Sequence, residues 1–173
     1  MNYLSANKVN KSMREAVETA LAFTPDPHAH LIERLKVLLA NGYVFYYDAH
    51  SAHWNVIGSN FPQYHAFFEK VYTQVYEELD DIAERIRIIN GLVPLYIKDL
   101  LNLSTIGGTL GGTNSLTLLH KLAQDNDTFI LNLQECFALA EAAKEIGLSN
   151  FLQDRIDAHK KLQWMITSTI KGE

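Results

Sequence analysis

Apolar residues in this chain return every three or four positions through four long segments. Nowhere do they alternate in the two-residue period of a strand bounded by turn residues. Leu31, Leu35, Leu38, Leu39, Val44 and Phe45 follow a helical period that begins after Thr24-Pro25-Asp26-Pro27 and runs to about Val56. Asp26 suits the cap of that helix and Pro27 its first position. Gly58-Ser59-Asn60 ends it, Asn60 can cap a second helix with Pro62 in its first turn, and Gly91 stops that helix near Asn90. A third helix is expected from about Asn114 to Ile146, closed by Gly147, and a fourth from about Ser149 to Ile170. Residues 91–113 form a crossover with room for one short helix near Leu95–Leu103. The glycine-rich half of that crossover, Gly107–Gly112, lacks a following Lys-Ser/Thr pair and so reads as a connection rather than a phosphate loop. Two long helices, a long crossover and two more long helices predict an all-α four-helix bundle with one crossover.

The 173 residues suit one domain with a real core. Residues 1–24 read as an N-terminal arm holding a short helix, with Met13, Val17, Ala20 and Leu21 at helical spacing; the bundle occupies 25–173. No apolar run approaches the roughly 20 residues of a membrane span, and the N-terminus lacks the pattern of a secretory signal. The single cysteine, Cys136, excludes an intrachain disulfide and reads as a small core residue, which favours a reducing cytoplasm. Net charge is −5. Lys8, Lys11 and Arg14 against Glu15 and Glu18 give the arm only +1, too little for a basic tail that displaces counterions from DNA.

Five potential metal ligands lie in one stretch: His53, His65, Glu69, Asp80 and Glu84. On a helix the last four fall at about 0°, 40°, 60° and 100°, so they share a face. Glu69 and Asp80 are nonetheless separated by about 16 Å along the axis, whereas metal–ligand bonds are about 2 Å long. One ion therefore cannot be held by both pairs from one helix. An antiparallel second copy would bring the His65/Glu69 end of one helix to the Asp80/Glu84 end of the other, twice per two-fold dimer. Asp80 and Glu84 are like charges four residues apart, which repel mildly unless a cation or a partner such as Arg34, Arg85 or Arg87 offsets them. His53 ends the helix that folds back against the start of the next, which places it near His65. His50 lies one turn earlier and suits a hydrogen-bonding role beside the ligands as well as a ligand role. Imidazole and carboxylate together suit Fe(II), Zn(II) or Mn(II). None of the seven histidines has a glutamate three residues before it, which disfavours a di-iron centre inside one bundle.

The run Ala52-His53-Trp54-Asn55-Val56, then Gly58, Phe61, His65, Phe68, Tyr72, Asp80 and Ala83-Glu84-Arg85, resembles the signature of the Dps family, the mini-ferritins named as DNA-binding proteins from starved cells. His159 and Trp164-Met165-Ile166 resemble that family's last-helix pattern, so the likeness covers roughly residues 30–170. It implies a ferritin-like bundle that assembles from two-fold dimers into a twelve-subunit hollow shell. It implies a ferroxidase site between subunits, with His53, His65, Asp80 and Glu84 as ligands and Glu69 where most relatives have aspartate. Up to two irons would bind per site, oxidised preferentially by hydrogen peroxide and stored as a ferric mineral that limits oxidative damage; zinc suits the same donors. Trp54, next to a ligand, could intercept stray oxidising equivalents or simply pack an interface. Glu141, Glu145 and Asp154 are candidates for lining an iron-entry pore. Two other readings stay open, a DNA-binding nucleoid protein and a structural shell without the chemistry. A twelve-subunit shell would carry a formal charge of about −60, which weakens or abolishes DNA binding.

Overall fold

The structure is a computed structural model that describes residues 27–172. The expected arm at 1–24 lies outside the described residues. Five helices follow one another: α1 Pro27–Asn55, α2 Phe61–Ile88, the short α3 Ile97–Leu101 in the crossover, α4 Ser115–Ala142 and α5 Ile146–Lys171. The described residues contain no strand; an isolated bridge pairs Ile57 with Asn114.

Contacts between helices fix their directions. From Arg34–Glu135 through Asn41–Asn132 to Asp48–Lys121, numbers rise along α1 as they fall along α4, so these two are antiparallel. His53–His65 and Tyr46–Tyr76 make α1 antiparallel to α2 as well. Helices α2 and α4 must then be parallel, so the chain between them has to travel the length of the bundle. That requirement is the physical reason for the long crossover.

The crossover is tied down by one buried amide. Asn41 Oδ1 accepts from Ser104 Oγ at 2.8 Å and from the Thr105 backbone N–H at 2.7 Å. Its Nδ2 donates to Thr105 Oγ1 at 2.9 Å and to Asn132 of α4. A buried side-chain amide is stable only when its polar atoms are paired, and here the pairing seats the crossover. The core between the helices is aliphatic and aromatic, with Leu31, Leu35, Phe45, Phe68, Ile82, Leu122 and Phe129 fully buried. Cys136 is buried among them, and burial, the dominant influence, pushes its thiol up to about 12.

Two helix ends depart from the sequence reading. Helix α2 stops at Ile88 because Asn90, not Gly91, takes the left-handed conformation, with φ 64°. Gly91 N–H then reaches back to Ile86 O at 2.8 Å, closing the terminus in the manner of a Schellman motif. Gly91 is required for space, since a Cβ there would lie 2.7 Å from Ile86 Cγ2 and 2.8 Å from Ile32 Cγ2. Likewise Lys144, with φ 60°, ends α4 at Ala142, and Glu145 N–H bonds Ala140 O at 2.9 Å. The chain re-enters a helix at Ile146, so Gly147 begins α5 rather than closing α4. Asn60 precedes α2 without a side-chain capping bond, whereas Asn114 caps α4 through Leu116 and Thr117 N–H.

Candidate metal half-sites and the buried polar clusters

The α1–α2 hairpin presses the two candidate histidines together. The rings of His53 and His65 stack with centroids 3.6 Å apart. Each Nδ1 donates to the other residue's backbone carbonyl at 2.8 Å. A carbonyl can only accept, so in the neutral ring the proton sits on Nδ1 and the Nε2 lone pair is left for a metal. This is how backbone partners orient and pre-set histidine ligands. His53 is nearly buried, His65 is half-buried, and Glu69 one turn on is exposed. These three are one candidate half-site.

Asp80 and Glu84 are both exposed, about three and four turns beyond Glu69 along α2. The arginines that might have neutralised them are engaged elsewhere. Arg34 pairs with Glu135, Arg85 lies over the Phe151 ring at 5.1 Å, and Arg87 donates to the Gly91 carbonyl at 2.5 Å. Among the described residues neither acid has an ion-pair partner. Two unpaired carboxylates thus face outward, and no group of three or more metal-binding side chains gathers among the described residues of one chain.

Beside His53 an aromatic cluster occupies the α1–α2 interface. His50 is sandwiched between Trp54, at 3.9 Å, and Tyr72, at 4.1 Å. Tyr46 Oη lies 3.1 Å from His50 Nδ1, and its ring contacts Tyr72 and Tyr76. Burial first, and the neighbouring His53 second, lower the pKa of His50, which keeps this ring neutral at neutral pH. The sequence pointed to His50 and Trp54, and to Tyr72 only as part of the family signature, but not to Tyr46. The spacing of Tyr46 four residues before His50 was the available signal.

Two further clusters lie inside the bundle. His159, fully buried on α5, meets Glu78 Oε2 at 2.9 Å through Nε2 and Asn126 Oδ1 at 2.6 Å through Nδ1. Asn126 in turn donates to the His159 carbonyl and to Gln163 Oε1. On the same stretch of α4, the Lys121 ammonium is shared between Asp48, at 2.9 Å, and Asp125. Burial works against that ammonium, but hydrogen bonds from Asp125 and Asp48 outweigh it and leave its pKa raised. Burial, opposed by Lys121 and aided by the Asp48 charge, pushes Asp125 up to about 7. One ammonium compensates one carboxylate, so the second holds its proton.

This has a measurable consequence. Between pH about 4 and about 7 the folded chain holds a proton on Asp125 that the unfolded chain has released. Stability therefore falls as pH rises through that window, by at most about 1.4 kcal/mol per unit, and levels off above it. Denaturant titrations should show a smaller fall for Asp125→Asn than for the parent. An equal fall in both would place the titrating group elsewhere.

Of the candidate pore residues, Glu141 and Asp154 are exposed. Glu145 is half-buried, and His28 Nε2 lies 2.8 Å from its Oε1.

A family model described as a ferritin-like domain matches residues 32–172. A solved structure from Vibrio cholerae O1, described as a Dps protein of a broad superfamily of ferritin-like diiron-carboxylate proteins, is 26% identical and superposes with TM-score 0.79, covering 83% of this chain and 91% of that one. The chain belongs to the ferritin-like family, in its Dps branch. Among other similar proteins, antigen TpF1 of Treponema pallidum is 26% identical with TM-score 0.80, covering 86% and 97% of the two chains. The DNA protection during starvation protein 2 of Bacillus anthracis is 27% identical over 136 residues, 79% of this chain and 93% of its own length. The Dps fold accounts for the five-helix order, the short helix in the crossover included. No described helix is long and apolar enough to cross a membrane.

Proposed function

We propose that this Dps-type protein binds Fe(II) at a site completed by a second copy of the chain, oxidises it with hydrogen peroxide and stores the ferric product inside a closed shell of twelve subunits. The observation that carries this reading is the split of the donors. Two histidines with pre-set Nε2 lone pairs, His53 of α1 and His65 of α2, lie at one end of α2 and two unpaired carboxylates further along it, with His65 and Asp80 about 22 Å apart along the axis. An antiparallel copy joins the halves into a mixed imidazole and carboxylate set that suits Fe(II). Asp80 and Glu84 anchor the cation, His53 and His65 of the second copy complete its coordination, and Glu69 holds or bridges a second iron.

The single chain also leaves apolar surface available for such a contact. Ile88 on α2 and Leu92, Leu95, Tyr96 and Ile97 in the crossover are all more than half exposed in the single chain. Interface cores are built from such side chains. With two irons about 3.5–4 Å apart, each supplies one electron to a peroxide, and no hydroxyl radical is released.

The test is anaerobic loading with Fe(II), then hydrogen peroxide, followed by ferric absorbance beside native mass. Rapid oxidation that saturates with iron per dimer is expected. A correct shell that oxidises iron no faster than buffer would leave a structural shell as the reading. The Bacillus anthracis relative carries DNA protection in its name. For this chain the charge of −5 per subunit opposes direct DNA binding.

A further inference from the structure

The aromatic cluster beside the histidine half-site is wired in a way that simple packing does not need. His53, a proposed ligand, has the Tyr72 ring edge-on at 5.2 Å. Tyr72 contacts Tyr46 at 6.3 Å, and Tyr46 contacts Tyr76 at 5.3 Å. Tyr76 is 60% exposed. A continuous series of oxidisable rings therefore runs from the half-site to the outer face of α2.

Tyr46 holds a special place in that series. Its hydroxyl lies 3.1 Å from His50 Nδ1, placed so that the phenol donates to the ring whenever the imidazole proton sits on Nε2. His50 is itself clamped between Trp54 and Tyr72, so the acceptor is held in position. A phenol loses an electron far more readily when its proton has somewhere to go in the same event. Among the tyrosines of this cluster, Tyr46 is the one with a histidine nitrogen at its hydroxyl.

We propose that Tyr46, paired with His50, is a redox-active residue that supplies a second electron to peroxide when the adjacent site holds a single iron. The inference rests on the proposed function. With one Fe(II) in place, peroxide takes one electron and yields Fe(III), hydroxide and a hydroxyl-radical equivalent. Tyr46 then gives one electron through Tyr72, converting that equivalent to hydroxide. The phenolic proton passes to His50 Nδ1, leaving a neutral tyrosyl radical and an imidazolium. A further Fe(II) returns the electron and becomes Fe(III), while His50 returns the proton to Tyr46.

The second electron has a natural source. In the antiparallel pairing, the midpoint of both ligand pairs falls between Gln74 and Val75. Tyr76 then sits about 2 Å along the axis from the two-fold, so the series from each copy meets near the dimer centre. One iron in each of two sites would together reduce one peroxide.

The experiment loads the assembled protein anaerobically with about one Fe(II) per site, adds peroxide and freezes the mixture within a second for electron paramagnetic resonance, with a spin trap in parallel. The parent should give a tyrosyl signal, little trapped hydroxyl radical and two irons oxidised per peroxide. Tyr46→Phe keeps the ring packing and should lose the signal, raise the trapped radical several-fold and lower the stoichiometry towards one iron per peroxide. His50→Phe, which keeps a stacking ring but no proton acceptor, should behave alike and serves if the first variant does not fold. Unchanged tyrosyl yield and trapping in either folded variant, with iron oxidised normally, overturns the relay. Iron oxidation at the buffer rate in the parent overturns the ferroxidase reading itself. In that event, photo-oxidation of the iron-free protein with a ruthenium sensitiser and persulfate decides whether Tyr46 is redox-active. A radical lost in Tyr46→Phe supports the pair, and one unaffected by the variant overturns it.

Discussion

Glu84→Ala should reduce peroxide-driven Fe(II) oxidation by about 100-fold or more while the shell still assembles. Loss of residues that merely support metal ligands costs about 10–100-fold, and an anionic anchor contributes at least as much. The fold should hardly notice. Glu84 is exposed and has no ion-pair partner among the described residues, and such surface changes fall within about 0.5 kcal/mol. Removing it even relieves the repulsion from Asp80, worth a few tenths of a kcal/mol. Stopped-flow kinetics beside native mass reads both quantities. Oxidation at the parent rate by a correctly assembled variant would remove Glu84, and the acid pair with it, from the site.

Lys121→Met should be the most damaging single change to stability, by about 3–5 kcal/mol. The side chain is nearly the same length, so little packing is lost. What is lost is the cation between Asp48 and Asp125, both drawn out of water by the α1–α4 contact. At pH 8 both carboxylates would face each other without compensation. At pH about 5 Asp125 holds its proton and only one of the two charges is left, so much of the damage should be repaired there. Thermal unfolding of parent and variant at the two pH values tests this. A small, pH-independent loss would show that the aspartates reach water more freely than their burial indicates.

How legible all this was in the sequence varied with the physics involved. The four long helices and the crossover follow from apolar period alone, because each amphipathic face has to be buried somewhere. The ends of α2 and α4 were displaced by two and four residues. Asn90 and Lys144 take left-handed turns there, a choice that a glycine-based reading gives to Gly91 and Gly147. Proximity of His53 and His65 follows from a short hairpin, but the reciprocal Nδ1–carbonyl bonds depend on ring rotamers that no spacing encodes. The alternative pairing of Asp80 and Glu84 with arginine was open from spacing alone. It closes only when Arg34, Arg85 and Arg87 are seen bonded elsewhere. Lys121 and Asp125 are a visible i, i+4 pair, whereas Asp48, 73 residues away, joins them only through tertiary packing.

The amide of Asn41 makes two contacts stand or fall together. Its polar atoms are satisfied from different places, Ser104 to Ile106 in the crossover and Asn132 in α4. Anything that turns this side chain unseats the crossover and loosens the α1–α4 contact at once. Leu92, Leu95, Tyr96 and Ile97 travel on the same segment, so the lie of their exposed apolar surface is tied to one asparagine in the interior.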